Sequence, residues 1–306
     1  MRKKVVDNIL YHVISIFMSF LGRLPESAGN MTADFIGSAW FTFDKKHRKI
    51  SCTNIKNAYG IEKSDTQIKI LARKVFKNTA RMLFEHTRFH RMNPEKFSDQ
   101  FVIKGLDNLK NAHEQGRGIL CYSGHIGNWE LLSVLAYIIK TRFSVVYKTV
   151  KFKPMERYIT KKREFAGCHM IPVHNALDKV KISLKKGEAV GLIVDQDIWK
   201  KNRGVFIDFF GRKASVHKGL ARLAMATKAP VVPIFTYRHK GKINLEVLPD
   251  VPLIQTGDEQ KDIMENTQAY HSIIEKYVRK YPEQWFWLHN KWKTRPLKEK
   301  LADKVE

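Results

Sequence analysis

Beyond about residue 100 the chain alternates short apolar runs with segments of helical period, and that alternation confines it to an α/β architecture. Ile119-Leu120-Cys121-Tyr122 reads as a buried strand followed by a helix over about 128–139. Further strands are expected at 143–146, 170–173 and 189–194, the last stopping at Asp195-Gln196-Asp197. A helix at 218–227, strands at 231–237 and 243–247, and a long helix over about 258–280 complete the series. Strands separated by helices cross over in parallel, so the expectation is a central, mostly parallel sheet flanked by helices. A length of 306 residues suffices for one large domain or two small ones, and no repeat or Gly/Ser linker divides the chain. We expect a membrane anchor at 1–24, a globular domain at 25–295 and a frayed, Lys/Glu-rich tail at 296–306.

The anchor is read from Arg2, Lys3 and Lys4 followed by an apolar stretch from Ile9 to Leu21. A signal peptide would need a small-x-small cleavage site, whereas Gly22-Arg23-Leu24-Pro25 follows. On a helix, Asn8, His12, Ser15 and Ser19 form one narrow polar stripe. Two placements remain open: a helix in or through the membrane interface, or one packed against the domain. Basic residues at the start favour a cytoplasmic N-terminus if it spans. Ser64-Asp65-Thr66-Gln67 matches a capping box opening a helix to about Phe89, with Ile68, Leu71, Val75, Thr79 and Leu83 inward. Lys69, Arg73, Lys77 and Arg81 make a basic stripe that fits either solvent or an anionic membrane surface.

Charge narrows the partners. With 55 Lys+Arg against 30 Asp+Glu the net charge is +25, which attracts phosphates on nucleic acid or lipid headgroups, or an acidic carrier protein. Cys52, Cys121 and Cys168 have no C-x-x-C spacing, which argues against a zinc ribbon or disulfide framework.

The chemistry-bearing segment is Ser123-Gly124-His125-Ile126-Gly127-Asn128-Trp129-Glu130. A His with a carboxylate five positions on is weak by itself, since His90 and Glu95 repeat the spacing in a loop-like setting. His125, however, lies beyond the carboxyl end of a buried strand, where open α/β sheets bind ligands. Alcohol attack on a thioester needs a base of near-neutral pKa and a carboxylate to fix its tautomer. His125 on the turn and Glu130 inside the next helix are expected to meet in that way. The competing structural role is a His capping a helix beside a surface Glu. Cys121 is a rival nucleophile but reads as a small core residue, and Ser123 lacks a G-x-S-x-G elbow.

His125-Ile-Gly-Asn-Trp-Glu130 resembles the H-x-x-N-W-E block of the lipid A late acyltransferases, part of the lysophospholipid acyltransferase superfamily. Tyr147-Lys148 with Arg163 to Gly167 is similar to the family's second block. Asp195-Gln196-Asp197 followed by Gly204 to Gly211 resembles its D-[QH]-D…V-F-x-x-F-F-G block. Val231-Val232-Pro233 with Arg238, and Pro282 to Lys293, resemble the remaining two, except that Lys291 lies where the family more often has Arg.

The resemblance implies a glycerolipid-acyltransferase-like fold and acyl transfer to a lipid hydroxyl. In it His125 is the general base and Glu130 its partner, with Asn128, Arg163, Asp195 and Asp197 around the substrates. It implies no metal or other cofactor, an acyl-carrier-protein or CoA thioester as donor, and a lipid A precursor as acceptor. The setting would be lipopolysaccharide assembly at the cytoplasmic face of the inner membrane. Another lipid acceptor (a lysophospholipid, glycolipid or amino-lipid) is the alternative within the same chemistry. A nucleic-acid-binding role would suit the charge but leaves the apolar N-terminal helix and the His125 turn unexplained, so no nucleic acid is expected as partner.

Overall fold

The computed structural model of the chain describes residues 2–88, 101–139, 141–198 and 203–296. Four helices open it: α1 (Arg2–Gly22), α2 (Glu26–Phe43), α3 (Lys45–Tyr59) and α4 (Asp65–Thr87). Ser64 Oγ accepts from Gln67 N at 3.3 Å while Gln67 Oε1 accepts from Ser64 N at 2.9 Å, so the capping box forms as expected. Ile68, Leu71 and Val75 are buried, but Leu83 is exposed and the later turns bury Ala80 and Phe84 instead. A four-residue spacing rotates by about 40° per step on a 3.6-residue helix, so neither expected stripe keeps one environment. The basic stripe drifts the same way. Lys69 and Arg73 face solvent, whereas Arg81 makes a two-pronged ion pair with Asp34 of α2 at 2.5 and 2.7 Å. α2 comes this close because it presents Gly29, Ala33 and Gly37; a Cβ on Gly37 would lie 2.5 Å from the Cα of Lys77.

The seven-stranded sheet has the order β1-β9-β8-β2-β5-β3-β4. Its strands are β1 (Phe101–Lys104), β2 (Ile119–Ser123), β3 (Phe143–Tyr147), β4 (His169–Pro172), β5 (Ala189–Ile193), β8 (Val231–His239) and β9 (Lys242–Val247). Neighbours pair in parallel except β8 with β9. Helices α5 (Leu106–Glu114), α6 (Leu135–Ile138), α7 (Lys153–Phe165), α8 (Ala176–Lys185), α9 (Gly219–Thr227) and α10 (Glu259–Lys280) flank it. Along β2 the side chains alternate between two cores: Leu120 and Tyr122 join one, Ile119 and Cys121 the other. Burial on both faces is why these strands read as unbroken apolar runs.

Two features depart from the sequence expectation. The helix expected over 128–139 is a 3₁₀ turn, Trp129–Val134, that becomes α-helical only at α6. Ser133 Oγ donates to the Glu130 carbonyl at 2.7 Å, a local bond that competes with α-helical pairing. The segment after Asp197 contains a hairpin, β6 (Gly204–Phe209) and β7 (Arg212–His217), turned by Phe210 (φ 55°) and Gly211 (φ 69°). α1 is not a core helix: over Lys4–Gly22 only 6% is buried. Its polar stripe reaches α7, where Arg157 donates to Asn8 Oδ1 at 2.7 Å and lies 4.0 Å over the Tyr11 ring. The expected tail falls outside the described residues from 297 onward, as does the His90–Glu95 pair.

Candidate active site

Sheet register assembles the centre. β2 and β5 pair in parallel with Ser123 opposite Ile193, and Val194 N donates to Ser123 O at 3.1 Å as the strands end. Two residues further along each strand stand His125 and Asp195, brought level although 70 positions apart. His125 Nδ1 lies 2.6 Å from Asp195 Oδ1, and the His125 backbone N–H donates to Oδ2 at 2.8 Å. Gly127 lets the chain leave this turn: its φ is +60°, and a Cβ there would meet the Thr236 carbonyl oxygen at 2.2 Å.

Asp195 is 2% exposed and accepts a third hydrogen bond, from Trp285 Nε1 at 2.6 Å. Burial by itself would raise its pKa; the His125 charge, the His125 hydrogen bonds and the nearby Lys291 outweigh it and hold the carboxyl well below the usual range. Asp195 therefore stays ionised. That fixes Nδ1 of His125 as the protonated nitrogen and leaves Nε2 with a free lone pair. Gln196 Nε2 is 3.3 Å from it, and Trp129 packs edge-on to the imidazole at 4.9 Å between ring centres.

The carboxylate that meets His125 is thus Asp195, not the expected Glu130. Glu130 instead forms a two-pronged ion pair with Arg163 of α7, both bonds 2.8 Å. The cause is local: in a 3₁₀ turn Glu130 projects towards α7, while the register with β5 has already filled Nδ1. Burial pushes Glu130 up, and the Arg163 guanidinium more than reverses it, holding the carboxyl below its ordinary value. The pair lines a largely apolar cavity with Trp129, Leu132, Phe143 and Ile234, beside residues of β2, β3 and β5.

The other expected residues are placed as follows. Asn128 is 2% exposed and donates from Nδ2 to Glu85 Oε2 at 2.8 Å, so its side chain braces the turn. The same Glu85 binds Arg238 through two hydrogen bonds of 2.5 and 2.7 Å. Asp197 accepts from Thr294 Oγ1 at 2.9 Å, and its N–H donates to His289 Nε2 at 2.8 Å, so it anchors the C-terminal segment. Cys121 is a core residue whose thiol burial pushes up to about 12, and Ser123 Oγ donates to the Gly124 carbonyl at 3.2 Å, so neither thiol nor hydroxyl is activated.

Sequence reasoning missed Trp285 and Gln196 beside the centre, Glu85 beneath it and Lys291 behind it. The Trp285-Phe286-Trp287 run, inside the Pro282 to Lys293 block, is the visible signal. Phe286 N donates to the His125 carbonyl at 3.0 Å, and Gly127 N to the Gln284 carbonyl at 2.9 Å. The closing segment is therefore bonded to the His125 turn itself. Among the described residues no group of His, Cys, Asp and Glu is arranged to hold a metal ion.

Known proteins are similar to this chain. The chain is 28% identical over 269 residues to the lipid A biosynthesis palmitoleoyltransferase of Escherichia coli K12, covering 86% of this chain and 84% of that one. It is 25% identical over 268 residues to the lipid A biosynthesis lauroyltransferase of the same organism, covering 85% and 84%. To the phosphatidylinositol mannoside acyltransferase of Mycolicibacterium smegmatis it is 24% identical over 217 residues, covering 70% and 69%. The family model for bacterial lipid A biosynthesis acyltransferases matches residues 3–294, nearly the whole chain. With the match spanning α1, the His125 turn and the C-terminal segment alike, the chain belongs to the bacterial lipid A biosynthesis acyltransferase family and is an acyltransferase.

Proposed function

We propose that the protein transfers a fatty acyl chain from an acyl-carrier-protein or CoA thioester to a hydroxyl of a lipid A precursor at the cytoplasmic face of the inner membrane. One observation carries this reading: Asp195 holds His125 Nδ1, so Nε2 carries the lone pair of a base. Nε2 takes the proton of the acceptor hydroxyl as its oxygen attacks the thioester carbonyl. The C–S bond then breaks as the tetrahedral intermediate collapses, and the thiolate leaves with the proton from the imidazolium. Glu130 and Arg163 act as a unit, with the Arg163 guanidinium placed near the reacting carbonyl or an acceptor phosphate. The +25 charge suits an acidic carrier protein, a phosphorylated acceptor and an anionic bilayer alike.

The test is incubation of the purified chain with lauroyl and palmitoleoyl thioesters of both carriers and a lipid A precursor, read by mass spectrometry. The expected product gains one acyl chain, and no protein adduct forms before acceptor is added, as the inert Cys121 and Ser123 require. An adduct of one acyl mass would replace direct transfer with an acyl-enzyme. The similarity to a phosphatidylinositol mannoside acyltransferase favours a second acceptor class, a mannosylated glycolipid, which belongs in the same assay.

Membrane attachment is supported by α1, where Val5, Val6, Ile9, Val13, Ile16, Phe17 and Phe20 are all more than half exposed. Met31 and Phe35 extend the apolar surface onto α2. Deleting residues 1–24 is expected to shift the protein to the soluble fraction and to reduce activity on bilayer-embedded acceptor far more than on detergent-solubilised acceptor. Equal flotation of both forms with anionic liposomes at high salt would show that attachment does not depend on α1.

A further inference from the structure

Lys291 has 0% exposure, unusual for a lysine, and stands directly behind Asp195. Its Nζ donates to the Asp195 main-chain oxygen at 2.6 Å and lies 4.8 Å from the centre of the Phe209 ring on β6. The carboxylates it faces are Asp195 and Asp197, both on the loop leaving β5. Two histidines share the neighbourhood, His271 on α10 and His289 on its own segment; burial drives each down to about 4, so both are neutral at pH 7. His125 reaches Lys291 only through Asp195, and Lys293 faces Asp197 from the segment's outer side. Lys291 is accordingly the buried cation that balances the Asp195 loop. Burial draws its own ammonium down to about 8 against the pull of the two carboxylates.

We propose that Lys291 is a positioning residue for the acyl-transfer centre: its buried ammonium, anchored on the Asp195 carbonyl and facing the Asp195 and Asp197 carboxylates, holds the loop that presents Asp195 to His125. The inference rests on the reading of His125 and Asp195 as the working pair. Removing the ammonium takes a charge-assisted hydrogen bond from the carbonyl and a shared counterion from two carboxylates. Arginine would keep both the charge and a donor.

The experiment compares full-length wild type, Lys291→Arg and Lys291→Met in detergent, using a lauroyl carrier-protein thioester and a lipid A precursor. Lys291→Arg should stay within about threefold of wild type at pH 7. Lys291→Met should lose about ten- to a hundredfold in kcat at pH 7 with KM little changed. A folded Lys291→Met with wild-type kcat, or one whose loss lies in KM alone, overturns the proposal.

A readout independent of activity is the melting temperature of wild type minus that of Lys291→Met. The folded lysine releases its proton at about 8, below the unfolded value of about 10.4, so wild type should gain on the variant between those two pH values. A flat difference overturns Lys291 as a buried ammonium even if Lys291→Arg does not fold. If wild type shows no transfer, the functional reading fails, while the melting comparison still decides whether Lys291 is held buried and charged.

Discussion

His125→Ala is expected to fold and to lose acyl transfer by about two to four decades, the usual share of a positioned general base. Asp195→Asn should lose a comparable amount, for a reason the geometry makes specific. The carboxylate accepts from His125 N, His125 Nδ1 and Trp285 Nε1 at 2.8, 2.6 and 2.6 Å. An amide has one oxygen for those three donors, and its NH₂ placed against Nδ1 would favour the opposite tautomer, burying the lone pair that must take the proton. Crowding the donors should also cost about 1–3 kcal/mol of stability. Because the pair acts as a unit, the double variant should be little worse than either single one. Steady-state kinetics at saturating donor checks this, and losses that simply multiply would dissolve the pair. The pH sign follows from the depressed carboxyl. Stability contributed by Asp195 is complete above its unfolded pKa near 3.9 and disappears as pH falls towards its folded value, so Asp195→Asn should flatten acid denaturation.

Apolar runs and caps made much of the fold legible. The strands from β2 to β5, then β8 and β9, emerged within a residue or two of their expected limits because burial on both faces leaves few polar interruptions. Asp258, which accepts from Gln260 N and Lys261 N, and Ser64 mark helix starts that a sequence displays openly. The β6–β7 hairpin was less visible: its turn is Phe210-Gly211, where a non-glycine residue takes a positive φ and no Asn-Gly or Asp-Gly signal exists. The centre was legible in its residues but not in its pairings. His125, Glu130, Arg163 and Asp195 all stand at the site, yet spacing along the chain joined His125 to Glu130. The pairing with Asp195 is set by strand register across 70 positions, a quantity no local window contains. Lys291 was hidden for a similar reason, since nothing in Asn290-Lys291-Trp292 announces that the lysine turns inward.

Glu130→Ala should be about as inactive as His125→Ala, though by a different route. Removing the carboxylate strands the Arg163 guanidinium, whose side chain is only 18% exposed, without its bidentate partner. A largely buried charge left unpaired costs about 3–5 kcal/mol, so the melting temperature should fall with the activity. Glu130→Gln separates the two effects, because it keeps the volume and one acceptor but removes the charge that holds Arg163 in place. It should fold close to wild type and lose transfer by about one to two decades, a part of the range of a positioned charged group. Arg163→Gln should lose a similar amount. The combination of Glu130→Gln with Arg163→Gln should be barely worse than Arg163→Gln alone, since Glu130 acts by placing the guanidinium. Combined with Asp195→Asn, by contrast, Glu130→Gln should multiply the losses. Its ion pair lies on the α7 side of the turn and touches neither carboxylate oxygen of Asp195. Coupling of Glu130 to His125 instead of Arg163 in this cycle would restore the simpler H-x4-E pair and make Asp195 its structural support.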